Sequence, residues 1–263
     1  MRDSRPFRRG KKFHRSRNTN RGTQSLGDGA VILYGWHTVT AALANPERHI
    51  RKLWATENAA RRLAEAGMSL PVGPELVRPD FIAARLSPDA VHQGLFAEAD
   101  PLPARTLSDL PAARLVLALD QITDPHNVGA ILRTAAAFAV GAVVTTARYS
   151  PEATGVLAKS ASGALEWVPI VLATNLARAL DELKERAFQV IGLDGEAPDD
   201  LSALPLASPL ALVLGAEGTG LRQKTRATCD RLARLSLPGA VKSLNVSNAA
   251  AVALYIANSR LQP

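Results

Sequence analysis

The chain has 263 residues, 31 Lys+Arg against 24 Asp+Glu for a formal net charge of +7, and 47% hydrophobic residues at a mean hydropathy of +0.01. This balance suits a globular chain with a substantial core and excludes wholesale disorder. A single cysteine, Cys229, excludes an intramolecular disulfide and a cysteine-built zinc cluster.

Residues 1–27 hold nine basic residues and one acid, which makes that segment +8 and leaves −1 for residues 28–263. The sequence pI near 10.0 therefore describes the N-terminal segment and not the body. Phe7, Phe13 and Leu26 bury too little surface to offset chain entropy, so a disordered basic tail is expected. One reading is a solvated tail. The other is an arm whose Lys and Arg neutralise nucleic-acid phosphates and release counterions. No apolar stretch follows it, and no apolar run reaches the roughly 18 residues of a membrane span. A cytoplasmic protein with a polyanionic partner and no membrane is expected.

A small α/β domain is expected over 28–98. VILYGWHTVTAALAN reads as a strand and a helix carrying Leu33, Val39, Ala42 and Leu43 inward, closed by Asn45-Pro46. IRKLWAT reads as a strand. Asn58 is the expected cap of a helix through Leu63 and Ala66 that ends at Gly67. Short Pro-punctuated elements continue to residue 98, and three prolines mark 99–113 as a linker.

From Arg114 the rhythm changes. LVLALD (115–120) is a continuous apolar run, as in a parallel strand covered on both faces. A helix is expected from about Val128 to Phe138, then a strand at 142–146. Helices near 151–160 and 175–186 alternate with strands near 168–172 and 188–193. ALVLG (211–215) and RLARLSLP (231–238) read as further strands, and 245–259 as a closing helix. This alternation over 114–263 predicts a parallel α/β domain.

Three segments carry chemistry. In LDQITDPHNVGAILRTAAAFAV (119–140) an apolar strand runs into a polar turn that opens a helix, the place where parallel sheets hold ligands. Asn127 reads either as the helix cap or as a site residue. Arg133 stands on a helix otherwise made of small and apolar residues, with Gly129 and Ala136 beside it. It is either a snorkelling surface residue or a group that something must approach. His126 reads as a turn residue and lacks companions at metal-ligand spacing. No metal is expected.

In LVLGAEGTGLR (212–222) a buried strand runs into three glycines in six residues. Such a loop suits a tight turn or a close ligand approach. The order G-x-x-G-x-G is not the dinucleotide fingerprint, and no P-loop lysine follows, which argues against a nucleotide-cofactor oxidoreductase. Glu217 between glycines favours the ligand loop. In LPGAVKSLNVSNAAAVALY (237–255), Ser243, Asn245, Ser247 and Asn248 crowd one helix start, whose amides suit an anion. The helix behind is small and apolar all round, and burial is expected.

Together DPHNVGAILRTA, GAEGTGLR and LPGAVKSLNVSNA resemble the three signature motifs of the SpoU/TrmH family of RNA ribose 2′-O-methyltransferases, within the SPOUT superfamily. KSASGALEWVP (159–169) and the N-terminal LYGWHTVTAAL, LWAT and HQGLFA are similar to that family too. The resemblance covers roughly residues 30–260 and is nearest to the bacterial subgroup that methylates a guanosine in 23S rRNA. It implies a C-terminal domain with a deep trefoil knot, a ribosomal-protein-like substrate-binding domain, S-adenosylmethionine as cofactor, and a homodimer whose active site uses both subunits. The functional polar residues of the family fall on Asn127, Arg133, Glu217, Ser243 and Asn245. The cofactor residues fall on Gly215, Ala216, Gly220, Leu237 and Leu244. Relative to that pattern the chain carries a small insertion between Cys229 and Pro238. The resemblance assigns the proton step to Arg133. An arginine is ordinarily charged, so a substrate phosphate holding the guanidinium is part of this expectation. The expected substrate is rRNA rather than tRNA. The alternatives are a tRNA methyltransferase of the same family and a non-catalytic RNA-binding assembly factor.

Overall fold

The computed structural model describes residues 29–147 and 155–261. The basic tail 1–27 and the start of the helix near 151–160 lie outside the described residues.

The first domain runs β1 (Val31–Tyr34), α1 (Trp36–Ala44), β2 (Ile50–Ala55), α2 (Glu57–Glu65), β3 (Glu75–Leu76), α3 (Pro79–Ala83) and β4 (Leu95–Ala99). The last strand enters between the first two, giving the order β1-β4-β2-β3 with β4 antiparallel to both neighbours. One face packs Leu33, Leu53, Leu95 and Ala97 against Val39 of α1 and Leu63 of α2. The other packs Tyr34, Trp54 and Phe96 against Ile82 of α3. The cap of α2 is Thr56 and not Asn58: the Thr56 side chain accepts from the Ala59 amide. Asn58 lies inside the first turn and accepts from Arg61 Nη2 instead, at 3.1 Å.

Residues 99–113 run along the second domain. Arg105 bridges Val171, a capping box of Thr106 and Asp109 closes the 3-10 turn Leu107–Asp109, and Leu110 enters the core. Arg186 donates to the carbonyls of Leu107 and Leu110.

The second domain runs β5 (Leu115–Asp120), α4 (Pro125–Ala137), β6 (Val143–Thr146), α5 (Gly155–Ala161), β7 (Ile170–Ala173), α6 (Leu176–Glu185), β8 (Gln189–Leu193), β9 (Leu210–Gly215), α7 (Gln223–Thr228), β10 (Arg231–Ala233) and α8 (Val246–Arg260). All six strands are parallel, in the order β10-β8-β9-β5-β6-β7. The central strands are buried on both faces, as their unbroken apolar runs require. One core lies under α4, α5 and α8, the other under α6.

Four expectations change here. The helix after β5 begins at Pro125, because Asp124 caps it by accepting from the His126 amide and proline is pre-set for a first turn. Asn127 is therefore inside the helix and is not its cap. The strand expected over 231–238 shortens to Arg231–Ala233, and a short helix precedes it at Gln223–Thr228. Finally, α8 is not buried all round. Ala250, Ala253, Leu254 and Ala257 face the core, while Val252 and Tyr255 are 41% and 65% exposed on the opposite side.

The domains meet through a polar contact set in apolar packing. Arg48 and Glu166 pair at 2.7 Å with side chains only 4% and 2% exposed. Asn45 Nδ2 donates to the second carboxylate oxygen at 2.8 Å, and Arg48 also donates to the Asp100 carbonyl. Gly163 lets α1 come close: a Cβ there would stand 2.7 Å from that of Ala41. No helix among the described residues is long and apolar enough to cross a membrane.

Candidate active site

Six parallel strands send their carboxyl ends to one side, and the three chemical segments meet there. The register pairs Asp120, last in β5, with Gly215, last in β9. The chain then reverses in the glycine loop. Gly220 N donates to the Ala216 carbonyl at 2.8 Å, and Gly218 and Gly220 take left-handed φ of 78° and 65°. A Cβ on Gly215 would lie 2.2 Å from the Gly220 carbonyl carbon. The loop therefore closes only over a residue without a side chain.

This reversal presents Glu217 to the start of α8. One carboxylate oxygen, Oε1, accepts from Asn245 Nδ2 at 2.6 Å and from the Val246 amide at 3.0 Å. Asn245 caps α8 through Oδ1, which accepts from the Ser247 amide and hydroxyl. Its Nδ2 also donates to Asn127 Oδ1 at 3.0 Å. Asn127, Glu217 and Asn245 thus form one network, although 118 positions separate its outer members. The anion at the start of α8 is the chain's own Glu217, favoured there by the orphan amides of a helix start.

Beside this network lies a cavity of about 460 Å³. Gly215, Ala216, Gly220, Leu237, Ser243 and Leu244 all line it, together with Glu217 and the turn Leu193–Glu196 that follows β8. Lys242 Nζ donates to the Leu237 carbonyl at 3.0 Å and ties the two sides of that wall. Asn127, Arg133 and Asn245 are not among the lining residues. Arg133 is exposed on α4 with no ion-pair partner among the described residues. Gly129 serves a different neighbour: a Cβ there would lie 2.3 Å from Ser160 Cβ, so the glycine admits α5. His126 Nδ1 lies 3.4 Å from Ser160 Oγ.

Sequence reading missed two acid–arginine pairs around this site. Asp120, fully buried, accepts from the backbone and side chain of Arg222. Asp194, after β8, pairs with Arg226 on α7. The available signal was an acid ending each apolar strand run, at LVLALD and QVIGLD. Cys229 is structural: its Sγ donates to the Thr225 carbonyl, and burial pushes the thiol up to about 12. The described residues contain no group of three His, Cys, Asp or Glu placed to hold a metal. A second cavity of about 760 Å³ lies between the domains, lined by Pro46, Pro101, Pro103, Trp167 and Pro169.

Residues 114–255 match the SpoU rRNA Methylase family, and residues 32–104 match the RNA 2′-O ribose methyltransferase substrate binding family. The chain is 41% identical over 236 residues to the 23S rRNA (guanosine-2′-O-)-methyltransferase RlmB of Pseudomonas aeruginosa, covering 85% of this chain and 94% of that protein. The protein of the same name from Vibrio cholerae is 39% identical over 239 residues, with 85% and 94% covered. Among solved structures, the SpoU methyltransferase AviRb from Streptomyces viridochromogenes in complex with the cofactor AdoMet has the same fold. It superposes with a TM-score of 0.75 at 22% identity, covering 88% of this chain and 90% of that one. An RNA methyltransferase of the TrmH family from Porphyromonas gingivalis superposes with a TM-score of 0.73 at 29% identity, with 88% and 90% covered.

Proposed function

The chain belongs to the SpoU rRNA methylase family, and from that premise we propose that it transfers a methyl group from S-adenosylmethionine to the ribose 2′-hydroxyl of a guanosine in 23S rRNA. The single observation that carries this reading is the Asn127–Asn245–Glu217 network. It joins the three segments at the rim of a cavity whose floor is a glycine loop.

The residues present fit a nucleoside methyl donor. The cavity has leucine walls at 193, 214, 235, 237 and 244 for the adenine and the methionine chain of the donor. Gly218 and Gly220 have open space where a Cβ would sit, so a ligand can come close to the backbone there. Glu217 and Glu196 place carboxylates at a pocket meant for a cationic sulfonium. When bound, S-adenosylmethionine supplies an electrophilic methyl group. Gly215, Ala216, Gly220, Leu237 and Leu244 are assigned to its binding.

A ribose hydroxyl is a weak nucleophile, so the protein must align it with the methyl carbon and remove its proton. Arg133 is assigned the proton at the 2′-oxygen, with a substrate phosphate holding the guanidinium. Asn127, Glu217 and Asn245 fix the start of α8, and with Ser243 of the turn before it they are assigned to orient Arg133, the ribose and the cofactor.

The domain plan belongs to the same reading: a basic tail over 1–27, an RNA substrate-binding domain over 28–98, a linker over 99–113 and a SPOUT methyltransferase domain over 114–263. So does the trefoil knot. A homodimer in the cytoplasm completes it. The exposed Val252 and Tyr255 on α8 are the face on which a second copy would sit. Residues 28–98 carry seven basic and eight acidic residues, so phosphate affinity is assigned to the tail rather than to the substrate domain. The test is mass-spectrometric mapping of 2′-O-methyl sites in RNA from cells with and without the protein. Loss of one guanosine methyl in 23S rRNA supports the reading. Loss of a tRNA methyl with rRNA unchanged reverses the substrate assignment, and no change favours the assembly factor.

A further inference from the structure

We propose that Asp120 and Arg222 are a positioning pair that holds the glycine loop in its ligand-accepting shape. The inference rests on the methyl-transfer reading for the identity of the ligand, and on geometry alone for the pair.

Asp120 ends β5 with its side chain fully buried. A carboxylate removed from water is costly unless it is paired and its lone pairs are used. Both oxygens here engage a single residue. Oδ1 accepts from Arg222 Nε at 2.6 Å, and Oδ2 accepts from the Arg222 backbone amide at 2.9 Å. The second bond reaches the main chain directly, and the first holds the carboxylate where it can make the second.

Arg222 stands two residues after Gly220 and is the cap residue of α7. The loop between β9 and α7 is consequently held at both ends by one strand. At its entry, Asp120 is in register with Gly215; at its exit, the Asp120 carboxylate grips Arg222. Between those points the Ala216–Gly220 bridge closes the reversal, and Glu217 is carried out to Asn245 and Val246. A shift of the exit would move Glu217 and the pocket floor together. The Asp194–Arg226 pair ties the other end of α7 to the turn after β8, and Asp194 Oδ1 accepts from the Glu196 amide. The two pairs differ in one respect. Asp194 and Arg226 line the cavity, whereas Asp120 and Arg222 do not. The Asp120 pair therefore acts through the loop and not by touching the ligand.

A pair that only stabilised the fold would lower every property in proportion. A positioning pair separates them. The experiment compares wild type, Asp120→Asn, Arg222→Met and, as a stability control, Arg186→Met, which loses the bonds to Leu107 and Leu110 far from the pocket. Calorimetry measures S-adenosylmethionine binding, steady-state methyl transfer separates the cofactor KM from kcat and from the RNA KM, and hydrogen exchange follows the amides of residues 216–221. Loss of a charge-assisted bond should weaken cofactor binding by about tenfold or more in both pair variants. The RNA KM should stay within about twofold, and the Gly220 amide should exchange faster without any ligand present. Arg186→Met should unfold at a lower temperature with cofactor affinity retained. Arg222, 40% exposed, gives the milder variant should Asp120→Asn not fold. Wild-type exchange at 216–221 in Arg222→Met would overturn the proposal, as would equal weakening of cofactor binding in Arg186→Met. Failure of wild type to bind S-adenosylmethionine would overturn the methyl-transfer reading instead, and the exchange result would still decide the pair.

Discussion

In the six-stranded sheet the polar side chains gather at one end, where Asn127, Glu217 and Asn245 are knitted by hydrogen bonds and Asp120 holds Arg222 beside them. The four-stranded sheet gathers its charges at no single end. Arg51 and His49 share Asp100, while Arg62 and Arg85 lie 3.7 and 3.4 Å over the rings of Trp36 and Phe81. The difference follows from strand direction. Parallel strands send every carboxyl end, and hence every turn that leaves a strand, to the same side. A largely antiparallel sheet divides its turns between two ends and builds no such convergence. The large domain is therefore suited to chemistry and the small one to contact. Arg133 belongs to neither pattern: it sits in the large domain yet outside the network, exposed on α4.

That division can be broken at several points. The largest effect is expected from Arg133→Ala. Removing a proton-transfer group should cost about 10²–10⁴-fold in methyl transfer while S-adenosylmethionine binding, measured by calorimetry, stays near wild type. Weakened cofactor binding would place Arg133 inside the network after all. Next is Arg48→Ala, which strands Glu166 in the domain interface. Breaking a buried pair should destabilise the protein by about 3–5 kcal/mol, read by denaturant unfolding, with cofactor affinity kept under native conditions. A loss in affinity would show that the small domain shapes the pocket.

Gly215→Ala sharpens the other side of the comparison. Its Cβ would collide with the Gly220 backbone, and overpacking of about 1–3 kcal/mol should weaken cofactor binding by about ten- to a hundredfold. The smallest effect concerns residues 1–27, outside the described residues. Their deletion should weaken RNA binding and flatten its dependence on salt, by about 0.7–0.9 in logarithmic slope for each phosphate that the tail no longer neutralises, with the methylated nucleotide unchanged. A shifted methylation position would show that the tail reads its target.

Much of this plan was legible in the sequence. Continuous apolar runs announced β5 and β9, and alternation with helical segments announced a parallel sheet. The polar turns announced which three segments converge beyond the carboxyl ends of the sheet. What pattern could not give was reach across the chain. Nothing local says that Glu217 meets Asn245, because the contact depends on how the glycine loop folds back onto α8. Asn127 has the composition of a cap, but Asp124-Pro125 offers an earlier one, and the structure uses it. The exposed face of α8 was hidden by composition: alanine suits a buried helix and a half-exposed one equally. A carboxylate closing an apolar run needs a partner, but only the fold brings Arg222, 102 positions away, to Asp120. α7 is only six residues long, too short for periodicity to register.

Methylation of a ribose in 23S rRNA by the pocket and Arg133 together is the proposed activity. Its most direct test is to incubate the purified protein with methyl-labelled S-adenosylmethionine and unmodified 23S rRNA, and to map the labelled nucleotide by mass spectrometry. Label is expected on the 2′-oxygen of one guanosine with wild type, and none with Arg133→Ala. Label on a base, label on tRNA with none on 23S rRNA, or undiminished transfer by Arg133→Ala would contradict it.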